Sequence, residues 1–127
     1  MSELGHRELS SRVIEAAIAV HKALGPGFLE SVYENALCVE LRRVGIAFEQ
    51  QKPVDIMYQG EVVGQHRLDL LVEGIMLVEL KAVSALEDVF FAVARAQMRA
   101  VDITDGLMLN FATMPLTIKR VGAGHAA

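Results

Sequence analysis

Cysteine occurs once, at Cys38. No internal disulfide can staple the chain, and a reducing compartment suits it. A basic excess is also missing. Twelve Lys and Arg stand against sixteen Asp and Glu, a net charge of −4. That argues against a protein that coats DNA through its phosphates. It leaves open an enzyme whose carboxylates are offset locally by bound cations. Charges interrupt every apolar run before it reaches the length a bilayer demands, and the polar start, Met1 to Arg7, does not read as a secretory signal. There is no internal repeat and no low-complexity linker. The expectation is a cytoplasmic protein without a membrane partner.

What is present is enough apolar material for a core. The 127 residues are 53% hydrophobic and 22% charged, which suits one folded domain over 1–127, with 122–127 as a frayed tail. Ser10 or Ser11 can cap a first helix that runs to Leu24. Gly25-Pro26-Gly27 stops it. A second helix starts near Leu29 and ends before Gly45. The period then changes to two. Phe48 to Lys52 reads as a short strand and Val54 to Tyr58 as another. A turn follows at Gln59-Gly60, and then a strand from Val62 to Val72. Ile75 to Val83 is the next strand. Ser84-Ala85-Leu86-Glu87 has the form of a capping box before a third helix. Gly106 to Phe111 and Leu116 to Val121 complete the strands. The pattern predicts an α/β fold with a mixed central β-sheet flanked by helices, including a βαβ unit over 75–111.

The chemistry concentrates on Glu79-Leu80-Lys81, at the end of an apolar strand. Lysine is costly to bury there without a partner or a task. Glu79 and Lys81 share one face, roughly 6.6 Å apart along the strand. Asp69 lies on the preceding strand. If the hairpin closes through a three-residue loop, Glu73-Gly74-Ile75, Asp69 stands opposite Glu79 and Arg67 opposite Lys81, with opposed Cβ atoms about 5 Å apart. Two carboxylates that close repel unless a cation or a proton lies between them. A two-residue loop would send the two acids to opposite faces. The set also suits a cross-strand ion pair on a wet sheet face. Glu34 reads as a solvated acid, Tyr33 as a core residue with its hydroxyl bonded, and His21 as a packed helix residue.

The residues that surround this set carry a resemblance. Val20-His21-Lys22-Ala23-Leu24-Gly25-Pro26-Gly27 leads into Gly27-Phe28-Leu29-Glu30-Ser31-Val32-Tyr33, a GxxExxY signature. Tyr58-Gln59-Gly60, Arg67-Leu68-Asp69-Leu70-Leu71-Val72, Val78-Glu79-Leu80-Lys81-Ala82-Val83 and Gly106 to Phe111 follow in order. Over residues 10 to 121 the chain resembles the GxxExxY proteins of the PD-(D/E)XK nuclease superfamily. The resemblance implies a restriction-endonuclease-like core, a mixed four-stranded sheet flanked by helices. It implies that Asp69, Glu79 and Lys81 are catalytic. It implies that Asp69, Glu79, the Leu80 carbonyl and Glu30 hold Mg²⁺ (or Mn²⁺). Gln97 matches a glutamine often found near the active site, and Arg67 suits a phosphate contact, so both are expected to bind substrate. Leu68 stands where the superfamily name has proline, and Ala94 and Val101 stand where family members commonly have histidine and tyrosine.

The expected activity is phosphodiester hydrolysis of nucleic acid, DNA ahead of RNA. The bound ion would acidify a water and withdraw charge from the phosphate, and Lys81 would orient or deprotonate that water. A homodimer would help so small a domain grip a duplex. The competing reading is a catalytically inactive nuclease-fold domain used for binding or assembly.

Overall fold

A computed structural model of the chain describes residues 3–122, with side chains described from His6 onward. Two helices come first, α1 (Glu3–Leu24) and α2 (Glu30–Arg43). Three strands follow, β1 (Phe48–Tyr58), β2 (Glu61–Val72) and β3 (Met76–Lys81), then α3 (Asp88–Ala100), β4 (Asp105–Asn110) and β5 (Thr117–Gly122). The strands form one sheet in the order β1-β2-β3-β4-β5. Only β3 and β4 run parallel, and α3 is the crossover between them, as a parallel pair requires. The others pair antiparallel. This is the mixed sheet expected from the sequence; it has five strands, where the resemblance implied a core of four.

The sheet buries both faces. On one, Val13, Ala17 and Val20 of α1 and Tyr33, Leu37 and Leu41 of α2 pack on Leu70, Val72, Val78, Leu80, Leu107 and Leu109. On the other, Ala94 and Met98 of α3 pack on Leu68, Leu71, Leu77, Met108 and Val121. The alternation along β4, with Leu107 and Leu109 on one side and Met108 on the other, is the period-two pattern of a strand covered on both faces.

Four local expectations differ from what forms. The first helix begins at Glu3, a full two turns before the serines expected to cap it; Ser10 sits inside it, its hydroxyl bonded back to the Arg7 carbonyl. Phe48–Tyr58 is one strand rather than two. Pro53 does not break it, because β1 is an edge strand and needs no donor there. The capping box is not made. Glu87, not Ser84, is the residue before α3 and caps it without a side-chain bond. The Asn110 side chain holds both the amide and the carbonyl of Val83 at 3.1 and 2.9 Å, which keeps the chain out of the helix until Asp88. The tail expected over 122–127 loses Gly122 to β5; its other residues lie outside the described ones.

Two turns set the register. Gln59 and Gly60, both at positive φ, close β1 onto β2 through a two-residue loop of the type that matches strand twist. Glu73-Gly74-Ile75 closes β2 onto β3, since Val72 pairs with Met76. This is the three-residue loop on which the acid pair depends. Glu73 tolerates its positive φ with help from Ala47, whose amide donates to the Glu73 carboxylate at 2.8 Å and whose carbonyl accepts from the Glu73 amide at 2.9 Å.

Candidate active site

The β2–β3 ladder runs only from Val72↔Met76 to Leu70↔Val78. One residue further, the register brings Asp69 level with Glu79, and there main-chain pairing stops. The two carboxylates take over. The Asp69 amide donates to Glu79 Oε2 at 3.1 Å, and the Leu80 amide donates to Asp69 Oδ2 at 2.9 Å. Each acid thus caps an amide of the opposite strand, and the strands part with no orphaned donor at that point.

The parting follows from β1 and β2 changing face. Leu70 and Val72 belong to the core under α1 and α2, whereas Leu68 and, on β1, Val54 belong to the core under α3. On β2 the change falls at Asp69; on β1 it falls between Phe48 and Val54, the stretch that holds Gln51. Gln51 has φ 52°, a left-handed conformation inside a strand that interrupts simple alternation. The outer half of the hairpin therefore turns over α3 and away from β3. Arg67 is carried with it. It pairs with Pro53 on β1, and its guanidinium donates to the Gln51 carbonyl at 3.2 Å. The expected opposition of Arg67 and Lys81 does not form, because the ladder ends before it can.

Glu79 is 7% exposed. Burial, then the neighbouring Asp69 carboxylate, push its carboxyl up to about 9. Lys81 relieves this only in part. Its ammonium lies 4.6 Å from the centre of the Phe90 ring on α3, and among the described residues no ion pair joins it to either acid. Both groups are on one strand face, as expected. The Leu80 carbonyl points to the same edge as the Leu80 amide, toward Asp69, since a strand residue turns both groups to one neighbour.

The helix residues fall differently. Tyr33 is fully buried, stacked on Phe111 at 4.7 Å. Its hydroxyl donates to the Gly25 carbonyl at 2.6 Å and accepts from the Phe28 amide at 3.0 Å, which closes the loop that launches α2. Glu30, at the first turn of α2, reaches the Ala82 amide at 3.4 Å. It borders the end of β3, and among the described residues no hydrogen bond joins it to Asp69 or Glu79. Gln97 is buried at 5% exposure, and its amide contacts His66 Nδ1 at 3.2 Å. It ties α3 to the outer hairpin, seven positions and about 10 Å along the helix from the Phe90 that Lys81 covers.

A family model described as the PD-(D/E)XK nuclease superfamily matches residues 7–121. The chain belongs to the PD-(D/E)XK nuclease superfamily. No curated protein and no solved structure matches it. The five-stranded mixed sheet with helices on both faces is a nuclease-like fold of this superfamily.

PD-(D/E)XK nucleases generally use divalent metals. The donors at the β2–β3 parting fit such an ion in kind. They are hard oxygens, two carboxylates and one carbonyl, and one of the carboxylates is buried without enough positive charge beside it. Among the described residues, no three His, Cys, Asp or Glu side chains gather as a ready ligand set. Water and substrate oxygens would complete the shell, as Mg²⁺ commonly allows.

One acid the sequence misplaced is Glu34. It is 9% exposed, not solvated. Gln50 donates to it at 2.8 Å, and Gln51 donates to both of its oxygens at 2.9 and 3.1 Å and to Asp69 Oδ1 at 3.3 Å. Glu34 lies one turn past Glu30 on the same helix, so the signal available was the i, i+4 spacing. Nothing in the sequence pointed to two glutamines on an edge strand as its partners.

Proposed function

We propose that the chain is a metal-dependent nuclease of the GxxExxY group that hydrolyses phosphodiester bonds of nucleic acid, DNA ahead of RNA, with Mg²⁺ or Mn²⁺. The observation that carries this reading is the carboxylate pair at the parted strands. Asp69 and Glu79 are each locked to an amide of the opposing strand, and Glu79 is held there short of counter-charge. The ion, when bound, supplies an acidified water and neutralises charge on the phosphate. Asp69 and Glu79 hold it, with the Leu80 carbonyl beside them. Lys81 orients or deprotonates the water, or meets charge developing on the phosphate. Its contact with Phe90 is worth only about 1 kcal/mol, so leaving the ring for that task costs little. Arg67, on the exposed outer hairpin, contacts a phosphate. Glu30 holds an outer water at the end of β3, and Gln97 fixes the hairpin that carries Arg67.

The test is purified protein with Mg²⁺ or Mn²⁺ and a panel of single- and double-stranded DNA and RNA. Cleavage is expected from the native chain and absent from Glu79→Gln and Lys81→Met. Cleavage that survives both substitutions overturns this site. The net charge of −4 favours a second reading, a nuclease-fold domain for binding or assembly. That reading predicts no Mn²⁺ heat in calorimetry of the folded protein. A homodimer would add grip on a duplex, and sedimentation tests it.

A further inference from the structure

The amide of Gln51 occupies a position that a cation would favour. Its nitrogen lies 2.9 and 3.1 Å from the two oxygens of Glu34 and 3.3 Å from Oδ1 of Asp69. An amide nitrogen has two hydrogens and no negative charge, so one hydrogen can serve each acid. Asp69 does not depend on Gln51 for its orientation, because its other oxygen, Oδ2, is held by the Leu80 amide. The oxygen that Gln51 covers is the one left to face a ligand. The reach of this side chain depends on its backbone. Gln51 is the only residue of β1 with positive φ among the described ones, and that conformation is strained for a residue with a side chain.

We propose that Gln51 is an internal competitor at the ion site: its amide bridges Glu34 and Asp69 in the metal-free protein, and a divalent cation must displace it from Asp69 Oδ1 to bind. This rests on the ion site proposed above. Glu34 is the anchor of the device. It receives the amide of Gln50 as well, so it stays satisfied when Gln51 swings off Asp69. The bridge ties Asp69 to Glu34 without metal and lowers the affinity of Asp69 for metal. Entry of the ion is thereby linked to release of one side chain on the edge strand.

The experiment is calorimetric titration of the full chain with Mn²⁺, together with thermal unfolding in chelator and in saturating Mn²⁺. Gln51→Gly removes the amide and suits a positive φ, so the fold is kept. The expected result is Mn²⁺ binding about tenfold tighter than in the native chain, about 1.4 kcal/mol. A larger gain in melting temperature on adding Mn²⁺ is expected with it. Gln51→Asn is the second variant. It also tolerates the left-handed conformation, and its amide is one methylene too short to bridge. It shifts affinity in the same direction, and it serves alone if the glycine variant does not fold. Unchanged or weaker binding in the variants, with the native chain binding, overturns the competition and leaves the ion site standing. No Mn²⁺ binding by any folded form overturns the ion site itself.

Discussion

Metal-free protein should lose stability as pH rises, and Glu79 sets the slope. Its carboxyl is pushed up to about 9 from an unfolded value of 4.5, first by burial and then by Asp69. Below pH 4.5 both folded and unfolded chains hold the proton, and the full contribution is present. Between 4.5 and about 9 the folded chain keeps a proton that the unfolded chain has released, so stability falls with pH. Above that window no more is lost. Each unit removes at most about 1.4 kcal/mol, and the whole window would permit about 6. Water reaches the parted edge of β2 and β3 as the second charge develops, so the expected loss is on the order of 3 kcal/mol. For a chain of this size that lowers the melting temperature by about 10 °C. The assay is thermal unfolding in chelator from pH 5 to pH 9, on the native chain and on Glu79→Gln. The glutamine keeps the shape and an oxygen for the Asp69 amide, and its profile should be flat across this window apart from slopes both proteins share. Saturating Mg²⁺ or Mn²⁺ should oppose the native slope, because the ion replaces the proton between the acids. Equal slopes in the native chain and in Glu79→Gln would refute the reasoning.

Tyr33→Phe leaves the Gly25 carbonyl and the Phe28 amide without their shared hydroxyl; a loss of about 1–3 kcal/mol in urea unfolding is expected, with faster amide exchange at Phe28. Gly106→Ala places a Cβ 3.0 Å from Met98 Sδ and 3.4 Å from the Leu77 carbonyl; the flexible methionine can give way, so a loss of about 1–2 kcal/mol is expected, not unfolding. Cys38 is 2% exposed and its thiol is pushed up to about 11, chiefly by burial. At pH 8 it should resist a thiol reagent in the native state and react when urea unfolds the chain, and prompt stoichiometric labelling of native protein would contradict its burial.

How far the sequence reached follows from the range of the forces involved. Periodicity and turn chemistry act over a few residues, and they were enough for the three helices, for the Gln59-Gly60 turn and for the odd-length loop at Glu73-Gly74-Ile75 that sets Asp69 level with Glu79. They failed where a distant group intervened. Asn110 holds Val83 from 27 residues away and delays α3 past the serine expected to cap it. The two strands read on either side of Pro53 are one, since an edge position removes the need for its missing amide proton.

The misreading at the site has the same root and a sharper consequence. Extending an ideal ladder past Asp69 predicted Arg67 opposite Lys81, a basic pair flanking the acids. An ideal ladder assumes that backbone amides pair only with backbone carbonyls. Here the carboxylates of Asp69 and Glu79 take those amides instead, and a left-handed Gln51 turns the hairpin aside. The feature that ends the regular sheet is the feature that assembles the acids. A sequence rule that rewards regular pairing therefore finds the strands on either side and misplaces what lies between them. By the same reasoning, Glu34 and Gln51, separated by 17 positions and on different kinds of element, become visible as one unit only when the break in the ladder is seen.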